Sequence, residues 1–215
     1  MKFNNRDNEV VEAKDGRKFW NSRSCAVTSI VIMRVGKWYQ RKKYFLLTTL
    51  RGKDTPDFQG YRCCPCGYLD WDEPLHYAAV RETEEETTFN PIDAWSSKTY
   101  PLDSNDDNSK RVKMGLIYEK YRNGQPFYLS SEPSANKQNV TACFGVVFSI
   151  PDEESLPLIS GANVNKADFE EVASAEWTPF EEVKSKKHKF AFNHDNRALS
   201  FFDIYKAAQS WRKPW

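Results

Sequence analysis

The stretch Gly67-Tyr-Leu-Asp-Trp-Asp-Glu73, followed after seven residues by Arg81-Glu82-Thr-Glu84-Glu85-Glu86, decides how this sequence is read. A helix is expected from about residue 74 to residue 88. Asp72 stands at the N-cap position, Pro74 falls in the first turn, and Asn90-Pro91 ends the run. At about 100° per residue, Glu82, Glu85 and Glu86 share one face while Glu84 points away. Three carboxylates on one face repel one another unless a cation neutralises them, and hard oxygen donors grouped this way suit Mg²⁺ or Mn²⁺. Arg81, on the same turn, can pair with Glu73 and hold its carboxylate in place. An isolated Glu-rich helix is usually just a solvated face. Here the helix follows a strand and a Gly turn, and the spacing G-x5-E-x7-R-E-x2-E-E fixes six positions. Such a match arises by chance in roughly one of 10⁵ chains of this length.

Around this segment the chain alternates strands and helices. Upstream, Cys25–Val35 reads as a buried strand closed by Gly36, residues 44–50 as a second strand, 51–60 as a loop and 61–66 as a third strand. Downstream, 103–110 is polar loop, and 112–121 with 127–130 are expected to form a β-hairpin around Asn123-Gly124. Further strands are expected at 140–150 and 171–177, a short helix at 179–183, and a packing helix at 196–211 with Leu199, Phe202, Tyr205 and Ala208 on one side. Interleaved strands and helices around a mixed sheet make the class α/β. The expected organisation is a polar leader over residues 1–20 and a single domain over 21–215, with an extra hairpin-containing region at about 97–135.

Composition narrows the functional classes. The 215 residues carry a net charge of +1, which argues against a chain built to coat nucleic acid or an anionic membrane. The longest apolar stretches fall well short of the ~18–20 residues that a spanning helix needs. Cys25, Cys63, Cys64, Cys66 and Cys143 are an odd set with three crowded into four positions, a poor disulfide framework that fits a reducing cytoplasm. Cys63 and Cys66 form one C-x2-C without a second such pair, so structural cysteine is the preferred reading over zinc.

The spacing resembles the Nudix box, G-x5-E-x7-R-E-U-x-E-E-x-G-U with U apolar, through Gly67, Glu73, Arg81, Glu82, Glu85, Glu86 and Phe89. Thr83 takes the first U position. Thr88 replaces the final glycine, so the exit from the helix is open to change while the carboxylate face is not. The segment from Glu171 to Val183 resembles the strand and short helix that close Nudix domains. The resemblance implies a Nudix-type α/β/α sandwich around a mixed β-sheet, and a Mg²⁺- (or Mn²⁺-) dependent hydrolase of nucleoside diphosphates linked to another moiety. Carried over by position, it makes Glu82, Glu85 and Glu86 metal ligands together with the backbone carbonyl of Cys66, and sets Arg81 and Glu73 beside them. One carboxylate of this set, or an acid from a distant loop with Glu170 or Glu171 as candidates, would take a proton from water. Arg51, Gly67 and Glu171 are expected along the substrate.

Phe190-Ala-Phe-Asn-His194-Asp195 resembles the F-D-H segment of a Nudix branch that includes ADP-ribose hydrolases and Nudix-derived regulators, with Asn193 where that branch has an acid. The expected substrate is therefore ADP-ribose or a related nucleotide-sugar. Dinucleoside polyphosphates, (d)NTPs and a non-catalytic ligand sensor are the alternatives. His194 is expected to cap the last helix. The run Lys184 to Lys189 is expected to be solvated, and Tyr61, Tyr68 and Trp71 to pack, with base stacking as their sharper alternative. A small nucleotide is the expected partner. No membrane or nucleic-acid partner is expected, although an RNA 5′ end stays open, and the extra hairpin offers a homodimer contact or a cover for the substrate.

Overall fold

Alternation along one strand divides the core of this protein into two. The computed structural model describes residues 9–21, 25–70, 73–96, 99–101, 111–119, 125–133, 138–161 and 170–210. Its strands are β1 (Glu9–Glu12), β2 (Lys18–Asn21), β3 (Cys25–Val35), β4 (Lys43–Arg51), β5 (Arg62–Cys63), β6 (Cys66–Tyr68), β7 (Thr99–Pro101), β8 (Arg111–Lys113), β9 (Gly115–Glu119), β10 (Tyr128–Pro133), β11 (Gln138–Ile150) and β12 (Val172–Pro179). Its helices are α1 (Leu75–Thr87), α2 (Pro91–Ser96), α3 (Phe180–Lys184) and α4 (His194–Ser210). Along β3, Val27, Val31 and Met33 join the cluster that holds Ala78, Ala79 and Val80 of α1, whereas Ile30 and Ile32 join Phe180, Val183, Phe201, Phe202 and Tyr205 of α3 and α4. A strand apolar on both faces is what a two-sided sheet requires. The result is an α/β/α sandwich.

The main sheet runs in the order β10-β11-β3-β4-β12, with β11 parallel to β3 and the other pairs antiparallel. β3 and β4 pair only over Ile32–Val35 and Lys43–Leu46, and then separate. β6 takes over the free half of β3 at Ala26–Thr28, and β5 takes Thr49 and Leu50 of β4. The predicted strand at 61–66 is therefore two short strands with different partners. Pro65 breaks them, having no N–H for a ladder, while its carbonyl accepts from Ser29 N at 2.9 Å. This split in the sheet sets Cys66 and Gly67 against α1.

Other expectations change in informative ways. β9 and β10 do not form a hairpin with each other. β11 spans 13 residues, long enough for β10 to pair with Gln138–Cys143 and β9 with Val146–Ser149 along the same edge. The turn residues Asn123-Gly124, the loop 103–110 and Asp72 lie outside the described residues. Within the stretch expected to be a polar leader, β1 and β2 pair as an antiparallel hairpin. No helix among the described residues is long and apolar enough to cross a membrane.

Helix α1 starts after Pro74, which offers no side-chain cap, and ends at Thr88 with φ 60°. Thr88 thus keeps the left-handed exit that a glycine would take more easily, and its N–H closes on Glu84 O at 2.8 Å. Left-handed backbone costs a residue with a Cβ about 1–2 kcal/mol. Thr88→Gly is expected to raise stability by about 1 kcal/mol, read as a higher thermal midpoint. A lower midpoint would mean that the Thr88 side chain contributes more than its backbone loses.

Candidate active site

Gly67 and Glu82 approach so closely that a Cβ on Gly67 would fall inside the Glu82 carboxylate. Glycine in the middle of β6 is what admits α1 to the split in the sheet. The carboxylates of that helix then gather around one guanidinium. Arg81 donates from Nε to Glu73 Oε1 at 2.9 Å and from Nη2 to Glu73 Oε2 at 3.0 Å, a bidentate fork. Its Nη1 reaches Glu82 Oε1 at 2.6 Å and Glu85 Oε2 at 3.1 Å, and Nη2 also reaches the Tyr68 carbonyl at 2.9 Å. Glu73 in turn accepts from Asp70 N at 3.2 Å. Glu86 is buried and accepts from Thr49 Oγ1 at 3.3 Å, and Thr49 sits 3.1 Å from Cys63 Sγ.

One guanidinium leaves this cluster short of positive charge. Burial pushes Glu82 up to about 8, with Glu85 and Glu171 adding to the shift and Arg81 opposing it. Burial also raises Glu86 far above the ordinary carboxylate range, with Cys63, Glu82 and Glu171 adding. Glu85 rises from burial against the pull of Arg81. Arg81 itself is held firmly protonated, because Glu73 and Glu82 outweigh its burial. Glu85 Oε1 is buried with no hydrogen-bond partner.

These features fit a hard divalent cation: the donors are carboxylate oxygens, one is orphaned, and all three carboxylates resist ionisation without added positive charge. Among the described residues, however, no three acidic, thiol or imidazole groups already stand as a metal cage. Arg81 and Thr49 occupy oxygens that a cation would need.

A cavity of about 270 Å³ opens beside the cluster, lined by Cys66, Gly67, Arg51 and Glu171 from its near side and by Thr28, Asn139, Arg197 and His194 beyond. Sequence expectation placed Arg51, Gly67, Cys66 and Glu171 at the site, and all four line this cavity. Glu170 is turned elsewhere: its backbone packs on Gly52, its amide donates to Asp54 Oδ2 at 2.8 Å, and its carboxylate meets Lys53 at 3.8 Å. His194 does not cap α4 with its side chain. It is buried, its Nδ1 accepts from Cys64 N at 3.1 Å, and its Nε2 lies 3.4 Å from Thr28 Oγ1. Burial and the nearby Arg197 and Arg51 hold it down to about 3, so it stays neutral. The imidazole ties the β5–β6 connection to α4 at the wall of the cavity.

The sequence reading missed Asn139 and Arg197. Asn139 donates to Tyr68 Oη at 3.2 Å while its Oδ1 is buried without a partner, and the nearly buried Arg197 donates to Ser130 Oγ at 3.2 Å. Neither stands in a spacing pattern, because β11 and α4 meet only through the tertiary fold. The basic run Lys184 to Lys189, which begins on the last residue of α3, lies outside the cavity lining, with Lys184 and Lys187 paired to Glu181 and Glu182. All five cysteines are free thiols.

The model of the NUDIX domain matches residues 27–199. The chain belongs to the Nudix family. It is a Nudix hydrolase, and members of the family generally use divalent metals. No curated protein matches the chain in sequence. Solved structures share the fold at low identity. The Nudix domain of Shewanella oneidensis NrtR, complexed with ADP ribose, aligns over 86% of this chain and 89% of its own with 14% identity and a TM-score of 0.50. RenU, a Nudix hydrolase from M. smegmatis, aligns over 93% and 95% with 12% identity and a TM-score of 0.51. A bifunctional NMN adenylyltransferase/ADP ribose pyrophosphatase from Francisella tularensis, complexed with AMP and Mn ion, is similar over 86% of this chain but 42% of its own, with 16% identity and a TM-score of 0.54.

The raised Glu82 gives a pH signature. Its folded value, about 8, lies above the ordinary 4.5, so its stabilising contribution is complete below about pH 4.5 and is lost as pH rises through 8. Without divalent cations, the thermal midpoint is expected to fall from pH 6 to pH 8, and to fall less in Glu82→Gln. Added Mg²⁺ is expected to stabilise the wild type more at pH 8 than at pH 6, since the cation competes with protons. Equal slopes in wild type and variant would contradict the assignment.

Proposed function

We propose that this Nudix hydrolase cleaves the diphosphate of a nucleoside diphosphate linked to a sugar, with ADP-ribose as the first candidate. The observation that carries the reading is the cluster of half-buried Glu82 and Glu85 with buried Glu86, beside a cavity whose far lining sets the hydroxyls and amide of Thr28, Ser130, Asn139 and Thr141 next to the guanidinium of Arg197. Hydroxyls and an amide suit a polyol. The orphaned Oδ1 of Asn139 can accept from a sugar hydroxyl.

Glu82, Glu85, Glu86 and the carbonyl of Cys66 would hold Mg²⁺ or Mn²⁺. The cation supplies positive charge against the diphosphate oxygens and makes water a better acid. The protein's own groups do the rest. Glu73 grips one edge of Arg81, so the guanidinium keeps its place even when Glu82 and Glu85 turn to a cation. Arg51 lies along the substrate, its Nε already anchored on the Asp57 carbonyl at 2.9 Å. Glu171 takes the proton of the attacking water: it lines the cavity on the exposed side and is close enough to raise both Glu82 and Glu86. That position distinguishes it from Glu170.

A panel of ADP-ribose, other nucleotide-sugars, diadenosine polyphosphates and dNTPs in Mg²⁺, followed by liquid chromatography, tests the proposal. ADP-ribose or a nucleotide-sugar is expected to be cleaved preferentially. Glu86→Gln is expected to lose about 10²–10⁴-fold in kcat with its fold intact, and Glu171→Gln a similar order. Preferential cleavage of dinucleoside polyphosphates or dNTPs would replace the substrate class. ADP-ribose binding without turnover would point to a sensor.

A further inference from the structure

Phe192, which lines the cavity, its neighbour Asn193, and Phe58, which follows the lining residues Pro56 and Asp57, hold left-handed backbone, which bulky residues avoid: φ is 55°, 55° and 56° respectively. They come from segments far apart in sequence, the loop after β4 and the approach to α4, yet the two rings touch. Phe58 and Phe192 stand nearly perpendicular at 73°, with centroids 4.9 Å apart, and Tyr61 leans on Phe58 at 5.6 Å. The Arg51 guanidinium lies over Phe192 at 5.0 Å from the ring centroid. Phe192 lines the cavity, as do Pro56 and Asp57 immediately before Phe58. Phe58 keeps 44% of its surface exposed despite its size.

A strained backbone persists where surrounding structure enforces it, and such positions gather at binding sites. Packing alone does not account for Phe58. The ring leaves 44% of its surface to solvent, while Gly or Asn would adopt the same φ at lower cost. What the conformation does supply is an accessible aromatic wall beside Arg51, at right angles to a second wall.

We propose that the Phe58–Phe192 corner is the seat of the substrate's nucleobase, which stacks on one ring with its edge toward the other. The proposal deepens the function given above and rests on it for the course of the diphosphate. Arg51 stacks on Phe192 and shares the cavity lining with Gly67, whose Cα side meets the Glu82 carboxylate, so it links the corner to the carboxylate side. That order places the base at the rim, the diphosphate along Arg51 toward Glu82, Glu85 and Glu86, and the sugar among Thr28, Asn139 and Ser130. Tyr61 contributes as a support for Phe58 and carries Lys189 over its ring at 5.7 Å.

Calorimetric titration of the whole chain with AMP and with ribose 5-phosphate tests the corner without turnover. The two probes share the phosphate and ribose, and only AMP has a base. AMP is expected to bind about tenfold or more tightly than ribose 5-phosphate. Phe58→Asn tolerates the left-handed backbone, so it is expected to keep or raise the thermal midpoint. It should weaken AMP about tenfold and leave ribose 5-phosphate unchanged, and Phe58→Tyr should restore AMP binding. Equal affinities for the two probes, an unchanged AMP affinity in Phe58→Asn, or a thermal midpoint that falls in that variant would each overturn the proposal. Hydrolysis separates the two claims. If AMP binds as expected but no nucleotide-sugar is cleaved, the function fails and the corner stands. If ADP-ribose is cleaved with the same KM in Phe58→Asn, the function stands and the corner fails.

Discussion

Negative charge packed under one guanidinium constrains everything around it in this protein. Arg81 bridges Glu73, Glu82 and Glu85 while Glu86 sits buried on the next position of the same helix. Removing carboxylates from water is expensive, and a single cation cannot balance four of them. The imbalance sets the local architecture. Gly67 must lack a side chain for Glu82 to fit, and the sheet must split at Pro65 so that β6 can present that glycine to α1. A core optimised for stability alone would replace these groups with apolar ones of similar volume. A divalent ion bound among them would complete the charge balance.

The opposite wall of the cavity shows the same trade in backbone conformation. Phe192 and Asn193 bring α4 into the site through two successive left-handed residues, and His194 then anchors the helix to the Cys64 amide. The helix start is tied to the strand break that carries Gly67. Substrate-side and carboxylate-side residues are therefore set by one piece of structure, the β5–β6 connection. Movement of that connection would alter both at once.

Much of this could be read from the sequence, and the parts that could not have physical causes. The carboxylate face was legible because a helix converts spacing directly into direction, so Arg81, Glu82, Glu85 and Glu86 needed no tertiary information. β3 was legible because a two-sided strand is a continuous apolar run. The 61–66 strand was misread because Pro65 splits it between two partners, and strand pairing is a long-range choice. The supposed hairpin failed for a similar reason: Asn123-Gly124 suits a tight turn, but the length of β11 gave both flanking segments a better partner. Thr88 hid a left-handed exit behind a residue type that disfavours it. Asn139, Arg197 and Phe58 had no local signature at all, since each acquires its role only when β11, α4 and the loop after β4 meet.

Anomalous diffraction from crystals grown with Mn²⁺ tests the central claim most directly, because it locates the ion without reference to turnover. The account predicts a Mn²⁺ peak among Glu82, Glu85, Glu86 and the Cys66 carbonyl, with Arg81 still gripped by Glu73. A peak elsewhere, with Glu82 and Glu85 still paired to Arg81, would contradict it.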